Sequence, residues 1–291
     1  MQQSVKKFCI ITNADKDDNF KIANSIKSII DEKGGEAIVL PNVLDMSQGE
    51  AHYTNPELID EDIQCAIVVG GDGTIIQAAI DLVEKDLLFL TMNNGTVGYL
   101  TEVDLCNAKE SIERLLKGDY DVEERIMLES RIKNKSSLEE KVFYSLNDVV
   151  LFKRGGNRLI TVKVYANERY LDTYCADGVI LATPTGSTGY NLSSGGPIMD
   201  PHTHATVITP ICPHSLNKRS IVLDSDDGVR FEIMQTKENI SDSVAVISDG
   251  REVANIETDD VLDACVPKHE TRFIKLTNEG FYERMRAKIQ G

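Results

Sequence analysis

The sequence predicts an α/β N-terminal domain built on a parallel sheet, followed by a β-rich C-terminal domain. Three observations carry this expectation. Strand-like apolar runs alternate with helix-periodic ones through the first 120 residues. Beyond Lys117-Gly118-Asp119 the segments become short, alternating and rich in β-branched residues. The length of 291 residues has room for two ordinary domains or one large one. The expected boundaries are 1–120 and 121–277, with 278–291 a candidate addition to the first domain.

In the first domain, Lys7 to Thr12 reads as a buried strand. Phe20 to Asp31 reads as a helix, with Ile22, Ile26, Ile29 and Ile30 at helical spacing. Gly34-Gly35 stops that helix, and Glu36 to Leu40 forms a second strand. Gln64 to Val69 is an apolar strand running into Gly70-Gly71-Asp72-Gly73-Thr74; a helix from Ile75 to Glu84 and a strand from Leu87 to Met92 follow. Strands separated by helices imply right-handed crossovers and a sheet covered on both faces. In the second domain, Gly155-Gly156-Asn157 and Asp226-Asp227-Gly228 are turn signals between antiparallel strands. Val142 to Phe152 reads as a single strand, and Glu279 to Ile289 as a closing helix carrying Phe281, Met285 and Ile289.

Composition excludes several classes. Acidic residues number 47 against 31 basic ones, a net charge of −16 that argues against nucleic acid or an anionic membrane as main partner. With 41% apolar and 27% charged residues, the chain reads as a soluble globular protein with no membrane span. The apolar run Phe8 to Ile11 is too short for an export signal, so a cytoplasmic location is expected. Six cysteines, none in a C-x-x-C pair, then read as buried free thiols, and no protein-bound metal site is expected.

Three runs carry chemistry. Gly70-Gly71-Asp72-Gly73-Thr74 lets backbone approach a phosphate, with the amides of the next helix's N-terminus aimed at it. Asp72, at the carboxyl end of a parallel strand, is placed to accept a hydroxyl proton or hold Mg²⁺ beside phosphates. A tight strand-to-helix turn without chemistry is the alternative; neither a Walker A lysine loop nor a full G-x-G-x-x-G pattern is present. Asn93-Asn94-Gly95-Thr96-Val97-Gly98-Tyr99-Leu100 follows the next strand and either lines the same crevice or is a plain loop. In the run 177–197, small hydroxyl residues follow Pro184, Ser187 or Thr188 is placed to cap a helix, and Tyr190 offers a face for stacking on a base. A capped helix with a Gly-Gly turn is the plainer account. Asn147-Asp148, a polar pair inside an apolar strand, suits an adenine edge and a ribose diol, or is simply exposed. His214 is a ligand contact or a structural histidine, and His202-x-His204 lacks a third ligand for a metal.

Together these runs resemble the NAD kinase family, which transfers a phosphoryl group to the 2′-hydroxyl of NAD's adenosine ribose. The likeness runs through GGDGT (70–74), NNGTVGYLTE (93–102), SLNDVVL (145–151), DGVILATPTGSTGYNLSSGGP (177–197) and ITPICPHSLNKRSIVL (208–223). The resemblance implies an active crevice between the two domains, with ATP or polyphosphate as donor and Mg²⁺ as cofactor. It implies Asp72 as the base, beside Gly73, and Asn147 and Asp148 facing adenine and ribose. Thr185, Thr188, Gly189, Tyr190 and Ser193 fall on the adenine-binding helix start, and Asp177 and His214 on the nicotinamide side, reached from across a subunit interface. Arg158, Cys175, Cys212 and Arg251 complete the implied substrate-binding set. Three positions depart from the family pattern: Cys175 where an arginine is common, Gly189 where alanine is usual, and Arg251 in place of the glutamine of Asp-Gly-Gln. These bear on dinucleotide preference. Assembly as a homodimer or homotetramer is implied too, in line with β-strand edges that need cover.

Two other classes share parts of the pattern. Lipid and sugar kinases share GGDGT alone, and lipid kinases continue with a Gly-Thr-x-Asn-Asp-like run where this chain has Val97-Gly98-Tyr99. A non-catalytic dinucleotide sensor would keep the pocket and lose turnover; the presence of Asp72 argues against it.

Overall fold

The structure is a computed structural model describing residues 2–14, 16–44, 53–95, 98–135, 140–155, 158–215, 217–234 and 243–290. Thr96, Val97, Gly156 and Asn157 of the motifs above, and the side chain of Ile289, lie outside the described residues. The chain divides into two compact units, one formed by residues 1–124 with 271–291 and the other by 125–270.

The first unit runs β1 (Lys7–Asn13), α1 (Lys21–Glu32), β2 (Glu36–Asn42), β3 (Cys65–Val69), α2 (Asp72–Asp81), β4 (Leu88–Asn93), β5 (Val103–Asp104), α3 (Ala108–Lys117) and β6 (Asp121–Arg125). Its sheet has the order β2-β1-β3-β4, with β1–β2, β1–β3, β3–β4 and β4–β5 all parallel. Alternate residues explain why both faces are covered. Phe8, Ile10, Ile67 and Leu90 pack with Ala23, Ile26 and Ile30 of α1 and Ile112 and Leu115 of α3. Cys9, Ile11, Ala66 and Val68 point the other way and are fully buried as well. Strand order reverses between β2 and β3 around β1, so the carboxyl ends of β1 and β3 flank the switch point where open sheets bind ligands.

The second unit contains β7 (Leu128–Lys133), β8 (Glu140–Ser145), β9 (Asp148–Lys153), β10 (Ile160–Ala166), β11 (Arg169–Ala176), β12 (Gly178–Ala182), α4 (Tyr190–Ser193), β13 (Ala205–Ile211), β14 (Ile221–Asp224), β15 (Val229–Ile233), β16 (Val244–Ser248), β17 (Arg251–Ile256) and β18 (Val261–Cys265). Two antiparallel sheets, β11-β10-β15-β18-β7-β8 and β14-β13-β12-β9-β16-β17, share one apolar core. Val149, Leu151, Val179 and Leu181 enter that core, while Val150, Ile180, Ala182 and Val207 face a second cluster with Met199. Burial on both faces accounts for the continuous apolar runs of β9, β12 and β13.

The chain ends with β19 (Thr271–Lys275) and α5 (Phe281–Gln290). β19 lies parallel to β4 in the first sheet, so the span 121–277 expected for the second domain is too long at its C-terminal end. Short-range pattern marks Thr271–Lys275 as a strand but carries no information on its partner. Val142–Phe152 likewise proves to be two strands in different sheets, β8 and β9, with the chain bending at Leu146-Asn147. Only Cys9 and Cys65 of the six free cysteines are buried; Cys106, Cys175, Cys212 and Cys265 are exposed, sitting near strand ends and loops.

Candidate active site

At the carboxyl end of β3, Gly71 is the last extended residue and Asp72 the first of α2. The helix begins three residues earlier than its periodicity indicates, because the Thr74 and Ile75 amides already turn back to Gly71 O at 3.0 and 3.2 Å. An acidic residue here is favoured by the helix dipole. The Asp72 carboxylate is fixed by the following glycine-containing loop: Oδ2 accepts the Tyr99 amide and Oδ1 the Leu100 amide, each at 3.0 Å. Gly98 makes this possible, since a methyl there would stand 1.9 Å from Asp72 Oδ1. Around Gly73, by contrast, a Cβ would meet no atom of the described residues within 4 Å outside its own helix turn.

The loop that holds Asp72 is itself held. Thr101 Oγ1 accepts the Gly98 amide at 2.8 Å, and Thr91 Oγ1 donates to Leu100 O at 2.6 Å. Glu102 is buried and accepts the amides of Leu276 (2.8 Å) and Thr277 (2.7 Å), the ammonium of Lys275 and Arg284 Nη2 (2.8 Å). Arg284 also donates Nη1 to Thr101 O at 2.9 Å. On the same face of α5, Lys288 lies 3.7 Å from Asp72 Oδ2 and 4.4 Å from the Tyr99 ring centroid.

In the second unit, the bend at Leu146-Asn147 is clamped from two sides. Asp249, between β16 and β17, accepts the amides of Leu146 (2.7 Å), Asn147 (2.9 Å) and Asp148 (2.8 Å). Thr183 donates its hydroxyl to Leu146 O at 2.6 Å and its amide to Asn147 O at 2.8 Å. Gly186 approaches so closely that a methyl would stand 2.1 Å from Asn147 O. Asp148 is thereby held as a buried carboxyl, pushed up to about 7 by burial and by the charge of Asp249. Burial pushes Asp249 up to about 6, its three amide donors pulling the other way.

The hydroxyl-rich run divides into posts and open groups. Ser187 does not cap a helix: its hydroxyl donates to Pro184 O at 2.6 Å and accepts the Met199 amide at 3.0 Å. Nor does Thr188, which donates to Thr185 O at 3.3 Å. The expected helix is a short 3₁₀ turn followed by the four residues of α4. Asn191 is a second buried post, donating to Ser187 O and Pro197 O at 3.0 Å each and accepting from Thr209 Oγ1 at 2.6 Å. Thr185 Oγ1 accepts from Arg125 Nη1 at 3.1 Å. Tyr190 is 42% exposed, and its ring offers a face for stacking. Burial raises its hydroxyl, and the charges of Cys212, Asp148 and Asp177 add to the effect. A Cβ on Gly189 would lie 3.9 Å from Asp148 Oδ2.

At the opposite end of β12, the His214 amide donates to Cys175 O at 2.9 Å and the Asp177 amide to Ile211 O at 3.0 Å. Asp177 Oδ1 pairs with Lys153 Nζ at 2.6 Å. Cys212 sits in the left-handed region at φ 45°, turning the chain sharply ahead of Pro213. Asp148, with Asn147 just before it, opens β9 opposite Ala182, the end of β12 that leads into Thr185, Thr188, Gly189 and Tyr190. Asp177, Cys175, Cys212 and His214 gather instead at the other end of β12, where Gly178 pairs with Phe152 and Ile211. Arg158 is exposed ahead of β10 and Arg251 opens β17, while Ser193, exposed in α4, returns its amide to Gly189 O at 3.5 Å. Sequence reading overlooked Asp249, Glu102 and Lys288. The Asp249-Gly250 pair was the available signal for the first, a hairpin turn; the other two act through partners remote in sequence.

Glycine turns at the ends of parallel strands, with a β-sandwich in the same chain, define a nucleotide-handling α/β class. The family model for the ATP-NAD kinase N-terminal domain matches residues 8–120, and that for the ATP-NAD kinase C-terminal domain matches residues 146–276. The NAD kinase of Lachnoclostridium phytofermentans is 39% identical over 286 residues, spanning 98% of this chain and 99% of its own. That of Lachnospira eligens is 38% identical over 296 residues, spanning 98% and 100%. Among solved structures, yeast NADH kinase complexed with NADH superposes with a TM-score of 0.85 at 23% identity, covering 99% of this chain and 88% of that one. An NAD kinase from Archaeoglobus fulgidus in complex with ATP gives 0.72 at 20% identity, covering 98% of each. The chain belongs to the ATP-NAD kinase family.

Proposed function

We propose that the chain transfers the terminal phosphoryl group of ATP to the 2′-hydroxyl of the adenosine ribose of NAD, giving NADP and ADP. The observation that carries this reading is Asp148, a buried carboxyl held by the Asp249 clamp beside the open Tyr190 ring. A carboxyl poised near neutrality ionises as the ribose diol donates to it, while an adenine stacks on Tyr190. Asn147 offers an amide to the adenine edge, with Thr185, Thr188, Gly189 and Ser193 around it. Asp177, Cys175, Cys212 and His214 serve the nicotinamide side, and Arg158 and Arg251 the remaining polar groups of the dinucleotide.

Asp72 takes the proton of the 2′-hydroxyl as its oxygen bonds to the γ-phosphorus and the bond to ADP breaks. The amide of Gly73 and the N-terminus of α2 face the phosphates. Mg²⁺ suits this donor set, since it needs one or two carboxylates plus substrate phosphates, and among the described residues no cluster of three metal-ligating side chains exists. Mg²⁺ bound to the substrate phosphates would neutralise their charge. Six free cysteines favour a reducing cytoplasm, and the open strand edges favour a homodimer or homotetramer.

Incubation of the purified chain with NAD, ATP and Mg²⁺, followed by an NADP-specific dehydrogenase assay, tests the reading. NADP formation is expected. Its absence with both ATP and polyphosphate as donors would overturn it, and a parallel arm with NADH measures acceptor preference.

A further inference from the structure

The net charge of −16 poses a problem for a protein that must gather two phosphate-bearing nucleotides, and the glycine turn at residues 70–74 contains no basic residue. Among the described residues, the ammonium that pairs with Asp72 comes from the last helix, α5. Arg284 and Lys288 are four residues apart on α5 and project from one face. Arg284 is buried against Glu102 and Thr101, so it locks that face onto the loop 98–102. One turn further, Lys288 lies along the Tyr99 ring with its ammonium 4.4 Å from the centroid and 3.7 Å from Asp72 Oδ2.

Both carboxylate oxygens of Asp72 already accept backbone amides, so Lys288 is not needed to hold that side chain in place. The Lys288 and Asp72 side chains are 32% and 30% exposed, which leaves the ammonium three donors and an open side. An ammonium fixed beside an open glycine backbone and a helix N-terminus has the chemistry of a phosphate contact.

We propose that Lys288 is a phosphate-binding residue of the phosphoryl-transfer site, donated by the C-terminal helix and meeting the phosphate chain of a nucleotide at the Gly70–Thr74 turn. This rests on the kinase reading above. The phosphate chain is that of ATP or the pyrophosphate of NAD, and the two are separable by experiment. Arg284 and Glu102 serve as positioning residues that aim Lys288.

The test compares the full-length chain with Lys288→Met, which keeps the aliphatic stem over Tyr99, and Lys288→Arg, which keeps the charge. Titration calorimetry with ATP and with NAD separately, and KM for each in the NADP assay, are the readouts. Lys288→Met is expected to weaken one nucleotide by about 10- to 100-fold, the usual effect of losing a charge-assisted contact, and Lys288→Arg to recover most of the loss. A change confined to ATP identifies the donor, and one confined to NAD the acceptor. Unchanged binding and KM for both, or faster turnover in Lys288→Met, would overturn the proposal while leaving the kinase reading intact. A wild-type chain that makes no NADP would overturn both. Matching thermal midpoints for the three proteins exclude a folding defect; if Lys288→Met is destabilised, Lys288→Gln replaces it under the same criteria.

Discussion

Asp249 accepts the amide of Asp148 at 2.8 Å, so the two carboxyls are neighbours, and only one of them is committed to holding the backbone. Burial and this proximity push Asp148 up to about 7, far above its ordinary 3.8.

A binding prediction follows from the sign of that shift. Ribose hydroxyls donate to the ionised carboxylate, so NAD binding should tighten as pH rises toward about 7 and level off above it. The change should approach about tenfold per pH unit below that value, with proton release on binding. Calorimetry in two buffers of different ionisation enthalpy counts the protons. Asp148→Asn should weaken binding and flatten the profile; a wild-type affinity independent of pH between 5.5 and about 8 would contradict the ribose assignment.

The same shift governs stability. Between the unfolded value of 3.8 and about 7 the native state holds a proton that the unfolded chain has released. Stability therefore falls as pH rises through this window, and the full cost stands above it. Asp148→Asn should raise the thermal midpoint at pH 8 relative to wild type and have less effect near pH 4. Parallel melting curves at both pH values would count against the buried-carboxyl account.

Asp72 should be indispensable for turnover but not for NAD binding. Asp72→Asn is expected to lower kcat by about 10²–10⁴-fold, the range for removal of a general base, with the Kd for NAD changed much less. Gly98→Ala probes the same point from the other side. Its methyl would overlap a carboxylate pinned by two amides, so the carboxylate must move and kcat should fall with it. Near-normal turnover in Asp72→Asn would sink the assignment.

Which parts of this were legible in the sequence follows from the range of the forces involved. β1, β3 and β4, α1 and the glycine turn after β3 are set by local periodicity and backbone freedom, and a single sequence displays both. The run from Thr183 to Pro197 was visible as a dense polar segment, but its division into posts and open groups was not. Ser187 and Asn191 turn inward because Met199 and Thr209, from later in the chain, meet them. The bend at Asn147 escaped notice because residues 142–152 remain extended on either side of it. Asp249, which fixes the bend, lies 101 residues beyond Asp148, and no periodicity spans that interval. Lys288 and β19 were hidden for the same reason.

Divalent cation dependence is expected to be complete. In the first unit Asp72 stands with amides, the α2 dipole and the Lys288 ammonium, while the net charge of −16 repels polyanions from the chain as a whole. EDTA should abolish NADP formation and Mg²⁺ restore it; full activity without any divalent ion would refute this.

Glu102 should prove a stability determinant. Burial opposes its ionisation, yet the donors of Lys275 and Arg284, together with the Leu276 amide, outweigh that and hold its carboxyl below the ordinary 4.5. Removing one member of a buried pair leaves the others without a counter-charge, so Glu102→Gln should cost about 3–5 kcal/mol. A carboxyl depressed in the folded state contributes stability above its unfolded value and loses it as pH falls through the folded one. The gap between wild type and Glu102→Gln in urea titrations should therefore be full at pH 7 and close as pH drops below 4.5. Because Glu102 ties both β19 and α5 to the loop carrying Tyr99 and Leu100, the variant should also expose residues 271–290 to hydrogen exchange ahead of the rest of the unit. Equal urea midpoints at pH 7, or exchange that leaves 271–290 as protected as β3, would show that the buried cluster does not hold the C-terminal segment.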